Sequence, residues 1–197
     1  MNKYLAFVAS HTCAFSTLMK MIKDQNIRLQ KIAITDAPLL SDIAIKAYSD
    51  HYLHLWYDNA EWYLDSSFSV KSLEKELTET NSLFYLIYFY EEPVGFLKLN
   101  MDAAFEEYAS KEALELERIY LRKNASGKGI GEFTMRFVLD LAVSKNKKIV
   151  WLKVMDSSTG PISFYKKHGF EICGTLQLDF PAMKEEVLGM YIMKKIL

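Results

Sequence analysis

A glycine-rich loop between an apolar segment and an amphipathic segment constrains this chain more than any other feature. The apolar segment covers residues 114–121, and a short polar stretch connects it to Gly-Lys-Gly-Ile-Gly at residues 127–131. Glycines have no Cβ atom, so their successive backbone N–H groups can converge on one anion. A helix that begins at Ile130 adds positive potential at its N-terminus. The pattern predicts a strand, a pyrophosphate-binding loop and a helix, in that order.

The length and the charge of the chain limit its class. It has 197 residues, of which 50% are hydrophobic, and its formal net charge is −1. This is enough for one substantial core, and we expect a single domain at residues 25–197. A net charge so close to zero indicates no general attraction to nucleic acid or to an anionic membrane. No apolar run approaches the roughly 18 residues that a membrane span requires.

Residues 1–24 form an extension of uncertain role. Its short apolar run is typical of a signal peptide, but His11 interrupts the run and a clear small-residue cleavage site is missing. We favour a weakly helical extension, or sequence that precedes a start at Met19 or Met21.

The cysteines and histidines indicate a reduced protein without a metal. Cys13 and Cys173 are far apart and have no metal-ligand spacing, which favours a cytoplasmic location. The four histidines form no cluster with cysteine and no HExxH pattern, so we expect no metal ion.

Hydrophobic periodicity places the remaining elements along the chain. Strands are predicted at residues 27–35, 83–90, 94–101, 114–121, 149–155, 170–176 and 187–194. Helices are predicted at residues 36–48, 51–62, 70–78, 130–144 and 159–168.

A second motif follows the glycine loop and makes the pattern specific. Residues 164–170 read Phe-Tyr-Lys-Lys-His-Gly-Phe, and together with the loop they resemble the GNAT superfamily of acetyl-CoA-dependent N-acetyltransferases. The resemblance covers residues 27–197. Within the superfamily, residues 73–77, 116–121 and 151–154 are similar to the PaiA-type spermidine/spermine N-acetyltransferases.

This resemblance implies a fold and a reaction. The implied fold is mixed α/β, with a central, mostly antiparallel sheet, one splayed pair of parallel strands, and helices on both faces. The implied function is transfer of an acetyl group from acetyl-CoA to a primary amine, a polyamine or a similar small molecule. No metal, nucleic acid or membrane takes part, and the protein would be a monomer or a homodimer.

The resemblance assigns a different segment of the chain to each part of acetyl-CoA. The strand before the loop would pair with pantetheine, and the loop would bind the pyrophosphate. The implied residues are Ile119, Tyr120, Leu121, Ser126, Gly127, Lys128, Gly129, Ile130, Gly131, Ser158 and Tyr165. Lys128 is either a nearby charge for the phosphates or a solvated lysine.

The chain also departs from the family pattern. Ser126 stands where Arg or Gln is usual, Ser158 where Asn is frequent, and Pro161 where Ala is usual. The shorter serine side chains predict weaker binding of acetyl-CoA, or a preference for another acyl group.

Three side chains are candidates for proton transfer, which acyl transfer to an amine requires. Tyr165 matches the tyrosine that protonates the departing thiolate in the family; otherwise it is an aromatic core residue. Glu115 and Glu117 are two apart on one strand and therefore share a face. Either could accept the amine proton, and Glu115 fits the family's occasional base position better. The alternative is a pair of solvated side chains.

The acceptor site is predicted from charge and aromatic content. A polyamine is a cation with methylene spacers, which carboxylates and aromatic faces can bind. Tyr52, Trp56 and Asp58 are the candidates, although aromatic residues at helical spacing are also typical of a core.

Three other functions remain open. A dinucleotide-binding oxidoreductase also has a strand, a glycine loop and a helix, but the Gly-x-Gly-x-Gly spacing and the short remaining chain fit it poorly. A catalytically silent protein that senses acyl-CoA is the second. The third keeps the enzyme but changes the acceptor to a protein N-terminus, a lysine or an amino-sugar drug.

Overall fold

A single seven-stranded sheet organises residues 26–197, the part of the chain that the computed structural model describes. The predicted extension at residues 1–24 and Cys13 lie outside this range. The strands are β1 (Ile27–Lys31), β2 (Ser82–Phe89), β3 (Glu92–Asn100), β4 (Ala113–Leu121), β5 (Ile149–Met155), β6 (Glu171–Gln177) and β7 (Gly189–Ile196). Their order in the sheet is β1-β2-β3-β4-β5-β7-β6.

Helices cover both faces of this sheet. They are α1 (Ala37–Tyr52), α2 (Glu61–Phe68), α3 (Val70–Leu77), α4 (Ile130–Ser144) and α5 (Thr159–Lys167). On one face, Leu40 of α1 and Leu73 of α3 are buried in one core cluster with Phe84 of the sheet. On the other face, Val138 of α4 packs into a second cluster with Leu97. The predicted mixed sheet with helices on both faces is therefore confirmed. None of the helices within residues 26–197 is long and apolar enough to cross a bilayer.

The helix predicted at residues 51–62 is wrong. α1 continues to Tyr52, a 3-10 turn covers Leu53–Leu55, and Trp56 is extended and pairs with Met183 in an isolated bridge. Asn59 and Ala60 then have φ values of 55° and 66°, which no right-handed helix contains. A contact with a distant segment therefore overrides the local helical pattern.

The only parallel neighbours in the described sheet separate halfway along their length. β4 and β5 pair from Ala113↔Ile149 to Leu116↔Leu152, and their pairing ends there. Beyond this point β4 remains paired with β3, and β5 remains paired with β7. A cleft therefore opens between the two strands at the centre of the sheet.

A β-bulge lies at the point where β4 leaves β5. The register with β3 changes from Leu99↔Leu116 to Lys98↔Arg118, so Glu117 is the extra residue. In such a bulge two successive residues share one face and the strand bends. Strict alternation would place Arg118 on the face opposite to Glu117, whereas their side chains here form an ion pair of 3.2 Å.

Candidate active site

A cavity of about 410 Å³ lies at the cleft between β4 and β5. Its lining includes Glu115, Glu117, Arg118, Ile119 and Tyr120 of β4, Lys153, Val154 and Met155 of β5, Tyr48 and Tyr52 of α1, Trp56 and Tyr63, and Ser158, Pro161 and Tyr165 at α5. Most of the residues predicted for catalysis and acceptor binding therefore come together in one place. The predicted residues outside this lining are Asp58, Leu121, Ser126, Gly127, Lys128, Gly129, Ile130 and Gly131.

The glycine loop has the backbone conformation that its sequence predicts. Gly127 and Gly129 have φ values of 74° and 76°, a region that other residues adopt rarely. A Cβ atom at either position would meet no atom within 4 Å, so the space outside both is open. α4 begins directly after Gly129, and the first backbone N–H groups of a helix have no partner within it. The loop therefore fits an anionic group such as a pyrophosphate.

The side chains of Ser126 and Lys128 in this loop lie outside the cavity lining. The Nζ atom of Lys128 lies 5.0 Å from the centroid of the Phe89 ring, a cation–π contact at the exposed end of the sheet. Ser126 is exposed and extended, and its N–H donates to the carbonyl of Lys123. The exposed Lys128 therefore lies beside an aromatic ring.

The last residues of β4 offer backbone groups to the cleft. Ile119 and Leu121 pair with β3 on one side, while β5 no longer pairs with them on the other. Nε2 of His51, at the end of α1, lies 3.0 Å from the carbonyl oxygen of Leu121. Arg122 is tied to Asp50 at 2.7 Å. The C-terminal turn of α1 therefore holds the free segment of β4 in position.

Tyr165 is both a core residue and a wall of the cavity. It is 8% exposed, its ring packs against Phe164 and Phe170, and it also lines the cavity. Burial, followed by the nearby Tyr52 hydroxyl, raises the pKa of Tyr165 well above its ordinary value. The hydroxyl therefore keeps its proton at neutral pH.

Ser158 lies at the N-terminus of α5, the helix that contains Tyr165. It is the N-cap residue of α5, but its hydroxyl makes no capping hydrogen bond within the described residues, and it lines the cavity. The hydroxyl is thus available to a ligand that occupies the cleft.

Glu115 and Glu117 lie on the same face, as predicted, but they are not solvated. Glu115 is 7% exposed, and its oxygens accept from Lys153 at 2.9 Å and from Asn100 at 2.8 Å. Glu117 accepts from the same Asn100 amide at 2.7 Å and pairs with Lys98 at 2.8 Å. Both carboxylates are therefore held by the protein at the inner wall of the cavity.

The ion pairs of Glu117 continue to α3. Glu76 lies 2.6 Å from Lys98 and 3.0 Å from Arg118, so the two cations are shared between Glu76 and Glu117. Burial opposes ionisation of Glu117, but the charges of Arg118 and Lys98 outweigh it and lower its pKa. Burial likewise opposes the charge of Arg118, and Glu76 and Glu117 raise its pKa. Glu117 and Arg118 are therefore both charged at neutral pH.

Four residues that contact Glu115, Glu117 or their partners were not predicted from the sequence: Lys98, Asn100, Glu76 and Lys153. A signal for two of them was present, because Lys98 and Asn100 are polar residues two apart in an otherwise apolar strand. This spacing matches that of Glu115 and Glu117 on the following strand. Polar residues that match across neighbouring strands indicate a shared polar site.

Aromatic rings form one side of the cavity. Nε1 of Trp56 donates to the Tyr48 hydroxyl at 2.9 Å, and the Trp56 ring stacks on Tyr63 at 5.1 Å. The segment between β6 and β7 closes this side with Phe180 and Met183.

Asp58 has a structural role beside this wall. Its Oδ1 accepts from the N–H of Ala60 at 2.9 Å, in the turn before α2. It lies two residues beyond Trp56, whose ring lines the cavity.

No group of three or more His, Cys, Asp or Glu side chains within residues 26–197 is arranged to hold a metal ion. The polar groups of the cavity and the glycine loop instead suit an organic ligand with a phosphate-bearing end.

Comparisons with known proteins agree with this arrangement. The chain is 31% identical over 107 residues to the uncharacterised N-acetyltransferase in the pepI 3' region of Lactobacillus delbrueckii subsp. lactis, which covers 54% of this chain and 62% of that protein. It is 33% identical over 72 residues to streptothricin acetyltransferase of Streptomyces lavendulae, or 36% of this chain and 38% of that protein. The chain thus spans less than two thirds of each of these relatives.

Solved structures share the fold. The structure of PaiA N-acetyltransferase from Thermoplasma acidophilum in complex with coenzyme A is similar with a TM-score of 0.68 at 22% identity, over 87% of this chain and 99% of that one. The model of the acetyltransferase (GNAT) family matches residues 39–170, which include the glycine loop, both glutamates and Tyr165. The chain therefore belongs to the GNAT acetyltransferase family.

Proposed function

We propose that this protein transfers an acetyl group from acetyl-CoA to the nitrogen of a small primary amine. One observation carries the proposal: Tyr165 and Glu115 line the same cavity, at the cleft where β4 leaves β5. A hydroxyl that keeps its proton and a carboxylate in one cavity match the two proton transfers of the reaction.

The chain has a place for each part of acetyl-CoA. The backbone of residues 119–121 would pair with the pantetheine, and the loop at residues 126–131 would bind the pyrophosphate. The bound thioester would supply an activated acetyl group. Ser158, at the N-terminus of α5, offers a further hydroxyl to it.

We assign the two proton transfers to different side chains. Tyr165 is protonated at neutral pH and donates to the sulfur that leaves. Glu115 accepts the proton of the acceptor ammonium, directly or through water. Its partner Lys153 is 41% exposed, so an incoming ammonium can exchange with it. Glu117 is a poorer base, because Lys98 and Arg118 lower its pKa.

We propose a polyamine such as spermidine as the acceptor class. The similarity of residues 73–77 and 116–121 to PaiA-type enzymes supports it, as do the aromatic faces of Tyr52 and Trp56, which suit methylene spacers. The protein already balances Glu115 and Glu117 with cations, so the additional charges of a polyamine need a further carboxylate. We propose Asp58, which lies two residues beyond the cavity residue Trp56.

The test is a thiol-release assay with acetyl-CoA and a panel of amines. The panel contains spermidine, spermine, a monoamine of equal length, a peptide with a free N-terminus, and streptothricin. We expect turnover of spermidine that rises with pH, because only the neutral amine attacks. Turnover of the peptide or streptothricin without that of the polyamines would contradict the acceptor class. Tight binding of CoA without turnover of any amine would contradict the proposed enzymatic activity.

A further inference from the structure

A line of hydrogen bonds joins the two glutamates through Asn100. Ser82 on β2, Asn100 on β3 and Glu115 on β4 lie opposite one another in the sheet. The Ser82 hydroxyl lies 3.1 Å from Oδ1 of Asn100. Nδ2 of Asn100 lies 2.8 Å from Glu115 and 2.7 Å from Glu117. One amide group therefore contacts both carboxylates.

The chemistry of this amide fixes its orientation. An amide nitrogen has two N–H donors, whereas an ionised carboxylate can only accept. Oδ1 of Asn100 accepts from the Ser82 hydroxyl, which leaves both N–H groups for the glutamates. The reverse orientation would place Oδ1 against two negative oxygens. The two glutamates therefore select the orientation in which Asn100 donates to both, and the Ser82 hydroxyl, which also lies 3.2 Å from Oε2 of Glu79, contacts Oδ1 on the other side.

We propose that Asn100 is a positioning residue for the acyl transfer, which holds Glu115 and Glu117 side by side and orients Glu115 toward the acceptor. This inference rests on the proposed function, in which Glu115 accepts the amine proton. Without the shared donor, neighbouring carboxylates repel each other and tend to retain a proton on one of them. A base that retains a proton cannot accept another.

The two glutamates differ in the partners that hold them. Glu117 is held by Lys98, Arg118 and Asn100, so its contacts are saturated. Glu115 has Asn100 on the inner side and Lys153 on the open side. When an acceptor displaces Lys153, the bond to Asn100 remains and keeps the carboxylate in place.

The charges that face the pair from the surrounding elements balance. The cations are Lys98 of β3, Arg118 of β4 and Lys153 of β5, and the anions are Glu76 of α3, Glu115 and Glu117. On the same face of the sheet, Lys194 of β7 is paired with Glu106 at 2.7 Å. An additional negative charge at position 100 would disturb this balance.

The experiment compares Asn100→Asp, Asn100→Leu and Ser82→Ala with the unmodified protein, using spermidine and saturating acetyl-CoA. Asn100→Asp preserves the shape but replaces the donors with a third carboxylate. We expect kcat to fall by about 100-fold, the scale of one proton transfer, with the Kd for CoA in titration calorimetry within about twofold of that of the unmodified protein. The acidic limb of the pH–rate profile should move to higher pH. Asn100→Leu should lower kcat without that added charge, and Ser82→Ala should have the smallest effect.

Asn81→Ala is the matched control. Asn81 is also an asparagine at the start of β2, but it bonds to the backbone of Asp102 and not to the glutamates. It should lower the melting temperature and leave kcat and the pH profile unchanged. Thermal melts and CoA titration calorimetry verify that each variant is folded. If Asn100→Asp does not fold, Ser82→Ala still has to shift the pH profile.

Two results would overturn the inference, and they are distinguishable. Folded Asn100 and Ser82 variants with normal kcat and an unchanged pH profile would reduce Asn100 to a structural role. An unmodified protein that turns over none of the amines would refute the proposed function, and this inference with it.

Discussion

Lys98 and Glu117 form an ion pair of 2.8 Å across a β-bulge, although the register places Lys98 opposite Arg118. Lys98 is 5% exposed, so its charge is removed from bulk water. Breaking a buried pair leaves an uncompensated charge, which costs about 3–5 kcal/mol.

Lys98→Met should therefore lower the free energy of unfolding by about 3 kcal/mol in urea titrations. The matched control is Lys46→Met, because Lys46 pairs with Asp42 at 2.7 Å while both side chains are half exposed. That exposed pair should contribute less than about 0.5 kcal/mol. Equal losses in the two variants would contradict a stabilising role for the buried pair.

The stability of the protein should also depend on Glu117 at acidic pH. The pKa of Glu117 is lowered in the folded state from its ordinary value of 4.5. A lowered pKa stabilises the fold above pH 4.5, and this contribution is lost as the pH falls through the folded-state value. Glu117→Gln should remove that part of the pH dependence below pH 4.5. Parallel stability curves for both proteins in this window would refute the assignment.

Removal of the Tyr165 hydroxyl tests the proton donor. Tyr165→Phe keeps the ring between Phe164 and Phe170, and we expect kcat to fall by about 100-fold or more while CoA affinity is unchanged. Tyr85→Phe is the control, since Tyr85 is equally buried at 8% exposure in the same core but does not line the cavity. Turnover close to normal in Tyr165→Phe would leave this residue a packing role alone.

A charge at Gly129 tests the pyrophosphate loop. Asp and Asn both tolerate the positive φ of 76°, so Gly129→Asp and Gly129→Asn differ mainly in charge. We expect the aspartate to weaken CoA binding at least about tenfold more than the asparagine, or ~1.4 kcal/mol. Titration calorimetry measures both. Similar affinities for the two variants would place the pyrophosphate elsewhere.

Asp58 tests the acceptor class. Asp58→Asn retains the oxygen that accepts from the Ala60 N–H, so the turn should survive while the charge is lost. KM for spermidine should rise severalfold, whereas KM for a monoamine of equal length should hardly change, because only the polyamine carries additional charges. An equal change for both amines would mean that Asp58 acts on the fold of the turn and not on the charge of the acceptor.

The parts of the fold that the sequence predicts correctly depend on local signals. The glycines at residues 127–131 and the apolar spacing from Ile130 place the loop and α4 where they are found. The helix predicted from residue 70 begins at Val70, where the hydroxyl of Ser69 accepts from the N–H of Ser72. Alternation along one strand was sufficient to place Glu115 and Glu117 on one face.

The remaining parts depend on contacts between distant segments, which local patterns do not contain. The bulge at Glu117 is stabilised by Lys98 and by Glu76. Glu76 also pairs with Arg118, which is 42 residues further along the chain. Trp56 is extended because it pairs with Met183. No period of hydrophobicity within a short window records such partners.

The two ends of the cleft are carried by different parts of the chain. The wall of Trp56, Phe180 and Met183 comes from the turn after α1 and the segment between β6 and β7. The glycine loop belongs to the β4–α4 connection. Mutations that reshape the wall therefore need not disturb the glycine loop. Under the proposed function, changes in these two short segments would alter the acceptor while the acyl-donor site is retained, so that specificity for the amine can diverge without loss of the cosubstrate.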